Sequence, residues 1–216
     1  MKKALIAPSI LSGNFANLGA EVVDMKRIGA DWIHVDVMDG VFVPNITFGF
    51  KMISDLRAKS DMFFDVHLMI TQPVRYVERF VKAGADLVSF HYEAENDIAG
   101  ALEAIKRAGC KCGLAVNPDT DVDVVIPYLD KLDLVLIMSV FPGFGGQKFI
   151  DGSLDRISRA AKLRDKYSSK ALVEVDGGVN FDNAPSVIKA GADVVVAGNA
   201  VFGAKDRAEA VKKLRG

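Results

Sequence analysis

Cysteine is nearly absent. The 216 residues contain two, Cys110 and Cys112. They stand one residue apart, too close for a structural staple, and no second pair exists to complete a zinc ribbon. Two reduced thiols beside a strand are the expectation, and with them a reducing, cytoplasmic location. An excess of one charge is absent as well. The 27 basic and 28 acidic residues leave a formal net charge of −1, which offers no general attraction for nucleic acid or an acidic membrane. An anionic ligand would have to be captured by local geometry. Long apolar runs are also missing. Met1-Lys2-Lys3 turns apolar only until Pro8 and Ser9, too briefly for the apolar region of a secretory leader. Nothing approaches the roughly 18 residues of a membrane helix. Linkers and low-complexity segments are lacking too, so a single domain over 1–216 is expected.

What the chain does have is a repeated phrase. Arg27-Ile28-Gly29-Ala30-Asp31, Lys82-Ala83-Gly84-Ala85-Asp86, Arg107-Ala108-Gly109-Cys110-Lys111 and Lys189-Ala190-Gly191-Ala192-Asp193 each precede a short apolar run. The basic residue suits the negative end of a helix. The glycine can take the left-handed conformation that closes the helix. The run that follows has the β-branched character of a parallel strand buried on both faces. Helical stripes come before the phrases: Leu18, Val22 and Met25; Val74, Val77 and Val81, with Pro73 in the first turn; and Ile98, Ala101, Leu102, Ile105 and Ala108. Further strands are expected at Ala4–Ser9, Phe63–Met69, Leu134–Ser139 and Ala171–Asp176. The glycines are spaced by about two, one and three units of roughly 27 residues, an eighth of the chain. Eight βα units in one domain predict an α/β fold, a (β/α)8 TIM barrel near the small end of its size range. An open doubly wound sheet is the weaker alternative.

A barrel of this kind carries its chemistry at the C-terminal ends of its strands. Alternation along His34-Val35-Asp36-Val37-Met38 puts His34, Asp36 and Met38 on one face. Asp65, His67 and Met69 share a face in the next strand, and Asp176 ends another just before Gly177-Gly178. Buried unpaired carboxylates are costly. One divalent cation would neutralise Asp36 and Asp176 and also use the imidazoles of His34 and His67. Two nitrogens and two carboxylates suit Zn²⁺ first, and also Fe²⁺, Mn²⁺ or Co²⁺. Taken singly, each residue also fits a packed histidine or a turn-forming aspartate. His91 reaches the same level but shows no partner in the sequence, and reads as pocket lining. Glycine-rich loops at Phe141–Gln147, Gly177-Gly178 and Gly198-Asn199 offer backbone N–H groups for a phosphate, although turns alone also want glycine.

Ala7-Pro8-Ser9-Ile10-Leu11-Ser12, the block from His34 to Asn45, Asp65–Met69, Pro142–Phe149 and Val175–Val179 together resemble the ribulose-phosphate 3-epimerase family, almost from end to end. The resemblance implies a ribulose-phosphate binding barrel and an isomerase of the pentose phosphate pathway. It implies that Asp36 and Asp176 are acid/base groups and, with His34 and His67, metal ligands. By the same resemblance Ser9 would lie beside the substrate, and Met38, Met69 and Met138 would wall the reacting carbons. Gly145, Gly146, Gly178, Gly198 and Asn199 would hold the phosphate. Three places depart from the family pattern: Phe141 stands where asparagine is usual, Asn199 where serine is usual, and Gly13-Asn14 where Ala-Asp is common.

The implied reaction interconverts D-ribulose 5-phosphate and D-xylulose 5-phosphate through an enediolate, one Asp taking the C3 proton and the other returning a proton to the opposite face. The alternative keeps this chemistry on a six-carbon ketose phosphate such as D-allulose 6-phosphate. An aldolase or decarboxylase would want a lysine at a strand end, where His34 and His67 stand instead. A non-catalytic sugar-phosphate binder would not need both aspartates and both histidines. The expected partners are a small sugar phosphate and further copies of the chain in a homo-oligomer.

Overall fold

The computed structural model describes residues 3–216. Eight parallel strands make one sheet: β1 (Leu5–Ala7), β2 (Trp32–Met38), β3 (Phe63–Met69), β4 (Leu87–His91), β5 (Lys111–Val116), β6 (Leu134–Met138), β7 (Leu172–Asp176) and β8 (Val194–Val196). Their order runs β1-β8-β7-β6-β5-β4-β3-β2. The two outer members of that order meet, closing the barrel. His34 N donates to Pro8 O at 3.0 Å, Asp31 N donates to Ile6 O at 3.0 Å, and Ser9 bridges His34. The closed (β/α)8 reading therefore holds over the open sheet.

Between the strands lie α1 (Leu18–Arg27), α2 (Phe50–Arg57), α3 (Val77–Ala83), α4 (Ile98–Arg107), α5 (Ser153–Lys166) and α6 (Ala184–Ala190), and after the last strand α7 (Asn199–Phe202) and α8 (Arg207–Arg215). All four junction glycines take positive φ, from 82° at Gly29 to 120° at Gly191. Two local expectations need correction. The crossover after β5 is a 3₁₀ helix, Val122–Tyr128, carrying Pro127 inside it; proline removes a backbone donor and clashes with the preceding turn of an α-helix. Pro73 opens a separate 3₁₀ turn, Pro73–Arg75, and does not begin α3. Val74 is consequently exposed, and α3 buries Val77, Phe80 and Ala83 instead.

Most apolar bulk lies between the outer strand faces and the helices. Inside the barrel the bottom is plugged by side chains that include Trp32 stacked on Phe63, 4.5 Å between centroids. Parallel register decides what lies above them. His34 sits beside Asp65, Asp36 beside His67, Met38 beside Met69, Leu136 beside Glu174, and Met138 beside Asp176.

The even-numbered strands share a device at the bottom rim. Asp31, Asp86, Asp133 and Asp193 each stand just before one of them. Each donates its own N–H to a carbonyl on the preceding odd strand: Ile6, Phe64, Cys112 and Val173. Each then accepts that same residue's N–H on its carboxylate, at 2.8, 2.7, 3.0 and 2.9 Å respectively. A parallel ladder does not let one residue pair exchange both bonds; the aspartate side chain completes the ring. Arginines back three of the four: Arg215 on Asp31, Arg57 on Asp86 and Arg164 on Asp193.

Candidate active site and metal centre

At the opposite rim a cavity of about 380 Å³ opens at the strand ends. Its lining includes Ser9, Asp36, Met38, Met69, Met138, Gly145, Gly146, Asp176, Gly178, Gly198 and Asn199. Every residue singled out from the sequence for substrate contact is therefore gathered there. His34 and His67 are fully buried, on the inner faces of β2 and β3. Phe141 is about half exposed and does not line the cavity.

Four side chains meet at the cavity floor. His34 Nε2 lies 3.2 Å from Asp36 Oδ1, and His67 Nδ1 lies 3.3 Å from the same oxygen. Both nitrogens are 3.9 Å from Asp176 Oδ2. All four donor atoms fall within 4.8 Å of one another. Bonds of about 2.0–2.2 Å in a tetrahedron put neighbouring donors roughly 3.3–3.6 Å apart, close to the spacing found. His34 Nε2 is a buried nitrogen with no hydrogen-bond partner. The set is thus one that can hold a divalent cation, although it does not distinguish Zn²⁺ from its neighbours.

The cluster is crowded with charge. Burial works against ionisation of Asp36, but the His34 and His67 imidazoles overcome it and hold this carboxyl well below the usual range. Asp176 goes the other way: burial, then the Asp36 charge, push it up to about 7. Burial opposes a proton on His34, yet Asp36 and Asp65 together raise it well above the ordinary histidine value. His67 is lowered, chiefly by burial. Ser9 Oγ donates to Asp36 Oδ2 at 2.5 Å, occupying the oxygen turned away from the imidazoles.

Three residues around this core were not read from the sequence as parts of the site. Asp65 Oδ2 lies 2.5 Å from His34 Nδ1 and orients that ring. Glu174 is fully buried, 3.8 Å from His34 Nδ1, and burial followed by the Asp65 charge raises it well above its ordinary value. Its signal was an acid at an inward position between two valines. His91 does have partners: its Nε2 is 2.9 Å from His67 Nε2, and its Nδ1 is 3.4 Å from Glu93 Oε2. Burial lowers His91 to about 4. The reading of His91 as lining is corrected accordingly. Register places Ser89 beside His67, so His91 stands one inward step higher and meets that ring from above.

The loops over the cavity approach each other closely. Gly178 has φ 65°, and a Cβ there would overlap the Phe149 backbone nitrogen. Only glycine lets the loop after β7 lie against the loop after β6. Asn45 Nδ2 donates to Gly143 O at 2.8 Å, tying the loop after β2 to the loop after β6. Asp39 clamps the loops after β2 and β3: it accepts from Val41 N, Phe42 N, Thr71 N and Thr71 Oγ1 at 2.8–2.9 Å.

Known proteins resemble the chain over nearly its whole length. The family model described as "Ribulose-phosphate 3 epimerase family" matches residues 5–202. The chain is 50% identical to ribulose-phosphate 3-epimerase of Bacillus subtilis (strain 168) over 212 residues, 98% of each chain. It is 50% identical to the chloroplastic ribulose-5-phosphate-3-epimerase of Arabidopsis thaliana, covering 98% of this chain and 76% of that one. It is 44% identical to the ribulose-phosphate 3-epimerase of Aquifex aeolicus (strain VF5), covering 98% and 95%. Among solved structures, 3-hexulose-6-phosphate synthase aligns with a TM-score of 0.67 at 24% identity, over 99% of this chain and 98% of that one; this likeness concerns the barrel alone. With a family model along nearly its whole length and relatives at half identity, the chain belongs to the ribulose-phosphate 3-epimerase family.

Proposed function

We propose that the chain interconverts D-ribulose 5-phosphate and D-xylulose 5-phosphate by moving a proton on and off C3. The observation that carries this is the pair Asp36 and Asp176, on strands separated by β1 and β8, whose surroundings drive them in opposite directions. Two carboxyls pushed apart in this way mark one base and one acid. Epimerisation needs both, because the proton leaves one face of the carbon and returns to the other. Asp36 starts ionised and accepts; Asp176 starts protonated and donates; the reverse reaction exchanges them. The substrate passes through an enediolate between the two. A positioned acid or base supplies about 10²–10⁴-fold. A divalent ion held by His34, Asp36, His67 and Asp176 would add Lewis-acid stabilisation of negative charge on the substrate oxygens. Met38, Met69 and Met138 give an uncharged wall that does not protonate the intermediate. Backbone N–H groups around Gly145, Gly146, Gly178, Gly198 and Asn199 hold the phosphate, with Ser9 beside the sugar and hydrogen-bonded to Asp36.

The test is an assay for ribulose 5-phosphate to xylulose 5-phosphate conversion before and after chelation, with Zn²⁺, Fe²⁺, Mn²⁺ or Co²⁺ added back. Activity lost on chelation and restored by one metal is the expected result. Activity unchanged after thorough chelation overturns the metal assignment, and no activity with any metal overturns the substrate. In the latter case D-allulose 6-phosphate is the next substrate, a reading now resting on Asn199 alone, since Phe141 does not line the cavity. Cytoplasmic action fits the two free, buried cysteines, and no helix among the described residues is long and apolar enough to cross a membrane. Light scattering on the purified protein tests the homo-oligomer.

A further inference from the structure

We infer that His91 is a positioning residue for the metal centre: by accepting a hydrogen bond from His67 Nε2, it determines that Nδ1 of His67 carries the free lone pair. This rests on the metal reading above. A neutral imidazole has one N–H and one acceptor nitrogen. His67 turns Nδ1 toward Asp36 and Asp176, so it can bind a cation there only if its proton is on Nε2. That nitrogen is buried and lies 2.9 Å from His91 Nε2, with the two rings stacked 26° from parallel. Two N–H groups cannot face each other at that distance. With a cation on His67 Nδ1 in place of the 3.3 Å contact to Asp36 Oδ1, His91 must accept, and its own proton must be on Nδ1.

The outer end of the chain favours the same direction. Glu93 Oε2 lies 3.4 Å from His91 Nδ1, outside hydrogen-bond geometry, and its negative charge favours the proton on that nitrogen. Glu93 is itself held, its Oε1 accepting from Asn117 N at 2.9 Å and Thr120 Oγ1 at 2.5 Å. Arg156 fixes that turn from behind, donating to the carbonyls of Asn117 and Thr120 at 2.6 Å each. Phe42 covers the His91 ring at 4.9 Å. The two candidate ligand histidines are thus oriented differently. His34 uses Asp65 directly; His67 reaches its carboxylate through a second imidazole.

Partners of this kind are worth about 10–100-fold in metal affinity. The chain has three histidines, so ¹⁵N long-range spectra of the Zn²⁺-loaded, histidine-labelled protein resolve each ring. The expected result is His67 as the Nε2–H form and His91 as the Nδ1–H form. Co²⁺ and Zn²⁺ affinities, measured by competition with a chromophoric chelator, should fall about 10–100-fold in His91→Leu. They should stay within about 3-fold in His91→Gln, whose amide oxygen can still accept from His67. Should His91→Leu not fold, Glu93→Ala is read in the same assays and should weaken binding by about 10-fold. His67 found as the Nδ1–H form, or His91→Leu binding metal as tightly as the parent, overturns the inference. If the parent protein binds no divalent ion, the metal reading fails and this inference fails with it, whereas a parent that binds while His91→Leu binds equally well overturns the inference alone.

Discussion

The two ends of the barrel use the same residue type to opposite purpose. At the bottom, Asp31, Asp86, Asp133 and Asp193 each take one backbone N–H at 2.7–3.0 Å. At the top, Asp36, Asp65, Asp176 and Glu174 crowd two imidazoles, and Asp65 Oδ1 and both oxygens of Glu174 find no hydrogen-bond partner. A carboxylate at the rim satisfied by fixed dipoles is a fastening. One left facing other carboxylates is a cost that a bound cation or substrate can relieve. Position along the strand, rather than residue type, separates structure from chemistry.

This contrast can be broken most sharply at Asp36. Asp36→Asn should lower turnover by at least about 10³-fold, from the lost base and the weakened centre together, while circular dichroism and the unfolding midpoint show the fold retained. A variant with near-normal turnover removes Asp36 from the chemistry. The converse test is Asp86→Ala at the bottom. It leaves the Phe64 N–H without its acceptor and Arg57 without its carboxylate, although Arg57 still donates to the carbonyls of Gly84 and Ser60. A loss of about 2 kcal/mol is expected, roughly 4–8 °C in Tm for a domain of this size, with kcat unchanged. A fall in kcat with no change in Tm would reverse the assignment of the two ends.

The smallest effect sharpens the rule at its exception. Asp39 lies at the top but is bonded like a bottom acid, with four donors on its two oxygens. Burial is the largest single influence and opposes its charge, but the bonds from Thr71, Val41 and Phe42 together outweigh it and lower its pKa. A lowered folded-state value gives stability that is present above the ordinary carboxylate range and lost as pH falls through it. Urea midpoints of the parent should therefore drop more between pH 6 and pH 3 than those of Asp39→Asn. At pH 7 the variant should be about 1 kcal/mol less stable. Parallel acid limbs would remove Asp39 from the group of structural acids.

Much of this was legible in the sequence because it followed period and spacing. The junction glycines, the strand phases and the four donors at the cavity floor all come from a repeat of about 27 residues and from two-residue alternation. What was not legible depended on relations between strands. His91 looked alone because its partner, His67, belongs to the neighbouring strand at a staggered level. Glu174 lies two residues before Asp176 on the same strand face, but its partners His34 and Asp65 belong to other strands. Asp133 escaped the repeat because Lys131-Leu132-Asp133 lacks the glycine. The work of the bottom aspartates was hidden because their partners are backbone groups, which carry no residue code. In the fifth unit Pro127 was the available sign that an α-helix would not form.

The bottom rings also bear on how such a chain comes together. Each joins residues only 20–25 apart in sequence, so each odd–even strand pair with its connecting helix holds its own seam. Contacts that close short loops form early and at little entropic cost. Arg215 on Asp31, 184 residues apart, fastens the last helix to the first pair. The barrel is in this sense four strand-pair quarters drawn into a ring by late contacts between its two ends, Arg215 on Asp31 and Arg207 on Glu21 among them, and chain breaks are best tolerated between quarters, where no seam is cut.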